Sequence, residues 1–251
     1  MRIGWEGDGL GNEQPRYYLH HALGFQMHDV RHRTTRTVTA VRIPHGRTRH
    51  AMTDWTSLRY AVADVEGNGQ QPPDLVELAV LPITDGTIGE PVRWLVKPPR
   101  PIRYLVTSIH GISGKDVVGA PAFADIEHEV RRALADRVLV AHNAHVDVAV
   151  LRRELGGWEF PEVFDTLKLA RRMLPGQASY KLGALVKALS LDDGIPPGLE
   201  PHRAAYDVLV TARLFARLAT RHDGNPVSLD ELRGPTGDQK PGDTDEAAPL
   251  F

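Results

Sequence analysis

The 251-residue chain contains no cysteine. This absence excludes disulfide bonds, thiolate catalysis and zinc sites built on cysteine, so any metal ion must be held by aspartate, glutamate or histidine. It also agrees with a reducing compartment, and we expect a cytoplasmic protein. Net charge is nearly absent too, with a formal value of −2 at pH 7. Any contact with a phosphate backbone must therefore depend on local groups of charges.

Long apolar runs are also lacking. No stretch approaches the roughly 18 uninterrupted apolar residues that a membrane-spanning helix needs, and the N-terminus lacks the basic and then apolar layout of a signal peptide. We therefore expect no membrane partner. What the chain does contain, 41% hydrophobic and 25% charged residues, fits one globular domain of moderate size with room for tails.

Composition divides the chain into three parts. Residues 1–56 are rich in arginine and histidine and show no helical period, which predicts a basic, poorly ordered N-terminal extension. This extension is either an arm that contacts nucleic acid or an unstructured leader, with translation beginning at Met52 as a third reading. Residues 57–221 carry the periodic patterns of a folded domain. Residues 222–251 are rich in glycine, proline and aspartate and predict an acidic disordered tail, whose final Leu250-Phe251 resembles a sliding-clamp-binding peptide.

Hydrophobic patterns within the domain predict strands first and then an alternation of helices and strands. The expected strands cover residues 60–65, 75–81, 92–96 and 138–141. The expected helices lie around residues 126–134, 144–155, 166–173, 181–189 and 204–219. The order of these segments indicates an α/β domain that opens with an antiparallel meander.

Two carboxylates lie on the first predicted strand. Asp64 and Glu66 are two residues apart in an otherwise apolar stretch, so the alternation of a strand places both side chains on one face. Two like charges this close raise each other's pKa and lose hydration, which costs stability unless a cation compensates. The alternative is a strand end that faces solvent. The pair alone therefore leaves metal binding open.

Two further carboxylates lie on apolar helix faces. Asp147 shares a helical face with Ala144, Val148, Leu151 and Leu155. Asp207 shares a face with Thr211, Leu214 and Leu218 near the start of the last predicted helix. An aspartate in a first helical turn often only favours the helix dipole, but these two point toward the core. Jointly, the four inward carboxylates suit hard divalent cations.

The order of these residues resembles that of the DEDDh exonucleases, the family that includes the proofreading subunit of bacterial DNA polymerase III. Asp64-x-Glu66 comes first, Asp147 follows a His-Asn turn, and His202 lies five residues before Asp207. The resemblance covers about residues 58–220. It is reinforced by the segments SIHGI (108–112), AP-x-F (120–123), AHNA (141–144), DTL (165–167) and YKL (180–182).

The resemblance implies a ribonuclease H-like fold, with a mixed central sheet whose first three strands are antiparallel and which helices flank. It implies hydrolysis of phosphodiester bonds from a 3′ end to release nucleoside 5′-monophosphates. Asp64, Glu66, Asp147 and Asp207 would hold two Mg²⁺ ions, for which Mn²⁺ can substitute. His202 would be the general base, since a neutral imidazole can accept a proton at physiological pH.

Substrate contacts are expected from five further positions. The resemblance places Ile109 and His110 in the pocket for the terminal nucleotide and Asn143 against the substrate. Where the family often has Thr-Thr-Gly after the glutamate, this chain has Gly67-Asn68-Gly69, which predicts backbone contacts from Gly67 and Asn68 without the hydroxyl contacts. An aromatic that is frequent before the third carboxylate is replaced by His145-Val146.

Several secondary expectations remain alternatives. Asp165 is expected to cap the helix that begins at Thr166, and Lys181 and Arg203 either touch phosphates or are solvated. The substrate is expected to be a single-stranded 3′ end, with DNA favoured over RNA. An RNA-directed exoribonuclease or oligoribonuclease is the alternative enzyme, and a catalytically idle module that docks on a polymerase or helicase is the alternative outside catalysis. The expected protein partner is a DNA polymerase or a sliding clamp.

Overall fold

The computed structural model describes residues 53–234. A 3-10 turn (Trp55–Ser57) precedes six strands, β1 (Tyr60–Gly67), β2 (Leu75–Thr84), β3 (Thr87–Ile88), β4 (Val92–Leu95), β5 (Val138–Ala141) and β6 (Val163–Asp165). The helices are α1 (Tyr104–His110), α2 (Phe123–Leu134), α3 (His145–Glu154), α4 (Thr166–Met173), α5 (Leu182–Leu189), α6 (Ala204–Leu218) and α7 (Leu229–Arg233). The expectations for a basic arm, a start at Met52 and the terminal Leu250-Phe251 lie outside the described residues.

The strands form one mixed sheet in the order β3-β2-β1-β5-β6, and β4 pairs with β2 beside β3. β2 runs antiparallel to β1 and to β4, whereas β5 runs parallel to both β1 and β6. The prediction of an α/β fold with three antiparallel strands at its start is confirmed. Within residues 53–234, no helix is long and apolar enough to cross a membrane.

Alternation along β1 creates two cores. Tyr60 and Val62 pack on one face of the sheet with buried residues of α4, α5 and α6. Ala61, Ala63 and Val65 pack on the other face with α2 and α3. Because side chains alternate along a strand, Asp64 and Glu66 belong to the Tyr60 face, which α6 covers. The sheet therefore directs the carboxylates of β1 toward the helix that carries Asp207.

The folded domain extends beyond both predicted boundaries. The Trp55 side chain is buried against Phe215, and the residue-53 carbonyl accepts a hydrogen bond from the Leu229 N–H at 3.0 Å. Val227 and Leu232 are also buried. The expected disordered tail from residue 222 is therefore wrong up to residue 234, because this segment contributes apolar side chains to the α6 core and pairs with the segment before β1.

The missed helix α7 has a sequence signal. Ser228 accepts a hydrogen bond from the Glu231 N–H at 3.2 Å, which is the N-cap interaction of an S-x-x-E segment. The helix was not predicted because the surrounding segment is rich in polar residues and glycine, which favoured a disordered tail. A cap motif ahead of Leu229 and Leu232 was sufficient to predict a short docked helix.

Candidate active site

The sheet gives β1 an exposed edge at the point where its carboxylates lie. β5 pairs with β1 only from Tyr60 to Val62, so β1 extends past the end of β5. On the opposite side, Asp64 pairs with Ala79 and Glu66 pairs with Glu77 of β2. The two acidic residues of β1 are thus anchored by β2, and the space beyond β5 is left for side chains of the helices.

α6 brings a third carboxylate to this place. Asp207 lies in the first turn of α6, and carboxylate oxygens of Asp64, Glu66 and Asp207 all lie within 4.8 Å of one another. Residues 140 and more apart in the chain therefore converge on one small volume. The structure thus brings these three predicted side chains together.

Asp147 approaches from the other side of β1. It lies in the first turn of α3, which follows β5 directly, and its Oδ1 accepts a hydrogen bond from the Val65 N–H at 3.1 Å. That N–H lies beyond the end of β5, so no strand partner is available to it on this side. Asp147 is buried between the backbone that separates Asp64 from Glu66 and the α3 core. The fourth predicted carboxylate therefore borders the other three.

The electrostatics of the four side chains show that they are unfavourable as free anions. Burial, and then the charges of Asp207 and Glu66, raise the pKa of Asp64 well above its usual range. Burial is also the largest cause that raises the pKa of Glu66 to about 9, of Asp147 to about 8 and of Asp207 to about 7. Four acidic groups that share one site titrate as a coupled set.

The donor set fits hard divalent cations. Asp64 Oδ2 is buried and has no hydrogen-bond partner among the described residues. A buried oxygen without a partner is costly, and a cation coordinated by several carboxylates would satisfy it and lower the pKa values of its neighbours. Ca²⁺, Mg²⁺ and Mn²⁺ prefer such all-oxygen ligand sets, whereas no cysteine is present for softer sites.

His202 lies on the loop that enters α6. Its side chain is exposed and its backbone φ is 62°, in the left-handed region. The nearby His202 N–H lowers the pKa of Asp207 against the larger effect of burial. The backbone of the predicted general base therefore lies beside a predicted metal ligand, and its imidazole is left accessible to solvent and substrate.

Sequence reasoning missed Glu77. It lies on β2, is fully buried and accepts hydrogen bonds from Arg203 at 2.7 and 3.2 Å and from the Ala204 N–H at 3.0 Å. Arg93 forms a further ion pair with it at 3.1 Å. Burial alone would raise the pKa of Glu77, but these partners hold it below its usual value. Arg203, expected to touch phosphates or solvent, is instead an ion-pair partner of this residue.

Asn68 is predicted to contact the substrate through its backbone, but its N–H already donates to the Asp74 carbonyl and its carbonyl accepts from the Arg103 N–H, both at 3.0 Å. Its side chain is fully buried, and Oδ1 accepts hydrogen bonds from the Gln70 and Asp74 N–H groups. Its Nδ2 donates to Asp74 Oδ2 and to the Arg100 carbonyl. An asparagine offers two donors and two acceptor lone pairs, so this loop uses all of them. Asn68 shapes the turn after β1 and has no side-chain group left for a nucleotide.

His110 also differs from the expectation. It is buried at the end of α1, where its Nδ1 accepts a hydrogen bond from the Ile112 N–H at 3.0 Å. The other ring nitrogen, Nε2, lies 3.3 Å from the Gly67 carbonyl and therefore carries the proton that it donates. Burial lowers the pKa of this imidazole. His110 thus fastens the Gly67 turn, and Ile109 is the partly exposed neighbour on the same helix.

The turn before α3 is fixed by Asp165. The structure confirms that Asp165 caps α4, since its Oδ1 accepts from the Leu167 N–H at 2.9 Å. The same carboxylate also accepts from the Asn143 N–H at 3.0 Å and the Ala144 N–H at 3.2 Å. Asn143 has a left-handed φ of 66°, and its side-chain amide makes no hydrogen bond within residues 53–234. Asn143 is therefore available as a substrate contact.

Comparison with known proteins agrees with this geometry. The sequence model of the Exonuclease family (RNase_T) matches residues 61–215. Exodeoxyribonuclease 10 of Escherichia coli is 38% identical over 173 residues, which cover 69% of this chain and 74% of that protein. DNA polymerase III subunit epsilon of Rickettsia prowazekii is 30% identical over 175 residues, which cover 65% of this chain and 75% of that protein.

A solved structure gives the same result for the fold. Exonuclease X in complex with 5′ overhanging duplex DNA is 35% identical and aligns with a TM-score of 0.56. The alignment covers 70% of this chain and 99% of that one. The family match over residues 61–215 contains the one strand and the two helices that carry the four carboxylates. The chain belongs to the Exonuclease family of hydrolytic, divalent-metal-dependent nucleases, with the ribonuclease H-like fold.

Proposed function

We propose that the protein removes nucleotides one at a time from the 3′ ends of single-stranded DNA. The single observation that carries the proposal is the convergence of Asp64, Glu66 and Asp207 within 4.8 Å, with Asp147 against the same strand. The polarity is supported by the order of these residues and His202, which is that of DEDDh 3′→5′ exonucleases. DNA is supported by the relatives, which include an exodeoxyribonuclease and a DNA polymerase subunit.

The four carboxylates are proposed to hold two Mg²⁺ ions. Bound divalent ions would supply positive charge to the attacking and leaving oxygens of the phosphodiester and would make a water molecule more acidic. Asp64 and Glu66 contribute from a rigid strand, and Asp207 contributes from the N-terminal turn of α6. Asp147 contributes from the start of α3, where the Val65 N–H orients its carboxylate.

His202 is proposed to accept the proton of the attacking water. Its exposure lets the imidazole reach a water above the carboxylates, and its backbone N–H lies near the Asp207 carboxylate. A positioned general base contributes roughly 10²- to 10⁴-fold to a rate. The backbone of the Gly67 turn, together with Ile109 and Asn143, is proposed to hold the terminal nucleotide.

Digestion of end-labelled oligonucleotides tests the proposal. A single-stranded DNA labelled at its 5′ end should give a ladder that shortens progressively in Mg²⁺ or Mn²⁺, whereas the same DNA labelled at its 3′ end should release labelled mononucleotide at once. The matched RNA should be degraded more slowly. Release of mononucleotide from the 5′ end would contradict the polarity, and faster degradation of RNA would favour the exoribonuclease alternative.

A protein partner is a separate and weaker proposal. Similarity to a DNA polymerase III subunit suggests association with a polymerase, and the terminal Leu250-Phe251 suggests a sliding clamp, although this segment lies outside the described residues. Activity of the isolated chain on oligonucleotides, compared with and without a clamp, would measure any contribution of that partner.

A further inference from the structure

Glu77 lies near the active site, and protein donors already fill its hydrogen-bonding capacity. Its two carboxylate oxygens accept two bonds from Arg203, one from Arg93 and one from the Ala204 N–H. A carboxylate offers about four lone-pair sites. Glu77 therefore has no oxygen left for a metal ion, although it pairs directly with Glu66 across the two strands. Its role must differ from that of the four other carboxylates.

The partners of Glu77 lie immediately after His202. Arg203 and Ala204 are 126 and 127 residues away in sequence, and they form the junction between the loop and α6. Arg203 occupies the N-cap position but supplies no side-chain cap of its own. Glu77 supplies the missing cap from β2, and its negative charge also suits the positive end of the α6 dipole. The start of α6 is thus fixed to the centre of the sheet.

This junction matters because His202 has an unfavourable backbone conformation. A left-handed φ of 62° strains a residue with a side chain, and such a conformation persists only where its surroundings hold it. The His202 N–H lies near the Asp207 carboxylate, and Glu77 accepts hydrogen bonds from the next two residues. The turn is therefore flanked by carboxylates that belong to different elements.

We propose that Glu77 is a positioning residue for hydrolysis: through Arg203 and the Ala204 N–H it fixes the left-handed turn at His202 and so sets the position of the imidazole relative to the carboxylates of Asp64, Glu66 and Asp207. This inference rests on the proposed role of His202 as general base. Glu77, a buried residue of β2, then affects the rate only through His202.

The test compares three single variants. Glu77→Gln removes the charge but keeps the shape, Arg203→Gln removes the partner that leads to His202, and Arg93→Gln is the matched control. Arg93 contacts one of the two Glu77 oxygens that Arg203 contacts, at 3.1 Å, but it lies on β4 and forms no hydrogen bond or ion pair with the turn within the described part of the chain. Loss of either arginine removes one positive charge beside Glu77. Arg203 also lowers the pKa of Glu66, so the Mg²⁺ concentration for half-maximal rate is measured to detect a direct effect of its charge on the metal site. Arg203 is partly exposed, so Arg203→Gln keeps the test usable if Glu77→Gln does not fold.

The expected result is a lower kcat with nearly unchanged binding of oligonucleotide and Mg²⁺. Because a misplacement of about 1 Å can cost roughly 10²-fold, Glu77→Gln and Arg203→Gln should lower kcat by about 10- to 100-fold on a single-stranded oligonucleotide. In these two variants, KM and the Mg²⁺ concentration for half-maximal rate should change by no more than about twofold. In Arg93→Gln, kcat should also change by no more than about twofold, as should KM and the Mg²⁺ concentration. A rise in KM without a fall in kcat would show that Arg203 binds phosphate, which would overturn the inference.

A double-mutant cycle with His202→Ala separates the inference from the proposed function. If Glu77 acts through His202, Glu77→Gln should lower kcat no further in the His202→Ala background. If the two losses multiply, Glu77 acts on the metal site independently, and the inference fails while the general base stands. If His202→Ala keeps the wild-type kcat, the general-base proposal fails and the inference fails with it.

Amide hydrogen exchange tests whether Glu77 holds the turn without any measurement of activity. In metal-free protein, the Ala204 N–H should exchange about tenfold or more faster in Glu77→Gln and Arg203→Gln, because local opening of the turn becomes easier. The Val65 N–H, which Asp147 holds, should keep its protection and serves as the internal reference. Unchanged exchange at Ala204 in both variants would show that Glu77 does not hold the turn, and would overturn the inference.

Discussion

His202 combines an exposed imidazole with a strained backbone, whose N–H lies near the Asp207 carboxylate. If the imidazole takes the proton of the attacking water, His202→Ala should lower kcat by roughly 10²- to 10⁴-fold, the range for a lost general base. Metal affinity should stay nearly unchanged, because the side chain is not among the grouped ligands. Initial rates at saturating Mg²⁺, paired with a calorimetric Mn²⁺ titration, measure both quantities.

A metal-ligand histidine would behave differently from a general base. Its removal would weaken Mn²⁺ binding, and excess metal would then restore part of the rate. Recovery of activity at high metal concentration would therefore contradict the role given to His202. His222→Ala is a suitable control, since this histidine is exposed and lies beyond α6.

The raised pKa values of the site predict how stability depends on pH without metal. A carboxyl whose folded-state pKa is raised binds its proton more tightly in the folded protein, so its contribution to stability is lost as pH rises through the folded pKa. Asp207, Asp147 and Glu66 have pKa values of about 7, 8 and 9. In a chelator, the free energy of unfolding should fall from pH 7 to 9, by up to about 1.4 kcal/mol per pH unit for each carboxyl that is still protonated in the folded protein and ionised in the unfolded one.

Two observations check this pH effect. Burial also lowers the pKa values of His110 and His142, but this raises stability with pH only up to their unfolded value, about 6.5, below the chosen window. Urea unfolding at pH 7, 8 and 9 should show the fall in chelator and a smaller fall in Mg²⁺. A flat profile without metal would contradict the description of these side chains as unfavourable free anions.

The four carboxylates were predictable because each breaks an apolar pattern of its own strand or helix. Glu77 breaks the pattern of β2 in the same way, and a charged residue inside the run 75–81 was a visible signal. Its partners were not visible, because Arg203 lies 126 residues further along the chain. For the same reason, the saturated amide of Asn68 and the buried ring of His110 could not be distinguished from substrate contacts.

The loop between β1 and β2 depends on a glycine in close contact with α1. Gly69 has a φ of +76°, and an added Cβ would lie 2.9 Å from Cγ1 of Val106. Gly111 has nearly the same φ, +75°, but an added Cβ would meet nothing within 4 Å. Both alanine variants suffer the backbone strain, of roughly 1–2 kcal/mol, that a side chain causes in this region.

Comparing these two glycines separates strain from packing. Gly69→Ala should lower the free energy of unfolding by more than Gly111→Ala, since it also forces α1 away from the loop at a cost of about 1–3 kcal/mol. Urea unfolding of both variants in the same buffer gives the difference. Equal losses would show that the loop and α1 separate easily, and that the Gly67 turn is not rigid.

The shortest elements were the ones that pattern alone did not reveal. β3 has two residues and β6 has three, so neither is long enough to show an alternation. α1 has seven residues, and its Tyr104 and Leu105 are exposed where an amphipathic pattern would bury them. Their positions come from tertiary contacts, such as the ladder from β5 to β6 and the packing of Val106 on the Gly69 loop.

Both ends of the described domain meet beside α6, which predicts how truncation affects stability. Removal of residues 1–51 should leave folding and cleavage intact, because residues 53 and 54 still pair with residues 229 and 228. Trp55→Ala in the same truncated protein should destabilise it by about 3–5 kcal/mol, as expected for a buried tryptophan. Thermal unfolding and the labelled-oligonucleotide assay measure the two proteins side by side.

The outcome of that comparison locates the start of the domain. An insoluble or inactive protein lacking residues 1–51 would show that the domain requires the N-terminal extension. A negligible effect of Trp55→Ala would contradict the packing of this side chain on Phe215.

The family could be predicted from five residues because each has a reactive side chain and a set place in the order of strands and helices. The match over residues 61–215 confirms the family. The choice between DNA and RNA could not be predicted, because it depends on how loops after β1 and before α3 meet a nucleotide. Those loops are shaped by long-range hydrogen bonds, such as that from the Asn143 N–H to Asp165. The sequence shows the chemistry more directly than the selection of substrate.

Four carboxylates converge at one end of β1, and we propose that they bind the divalent ions needed for hydrolysis. The most direct measurement is the initial rate of mononucleotide release against Mg²⁺ concentration, for the wild type and for Asp64→Ala and Asp147→Ala. Both variants should lose activity by several orders of magnitude and yet unfold in chelator at the same temperature as the wild type or higher, because each removes a carboxyl group that is unfavourable as a free anion in this site. Cleavage by either variant at a rate comparable to the wild type would contradict the account.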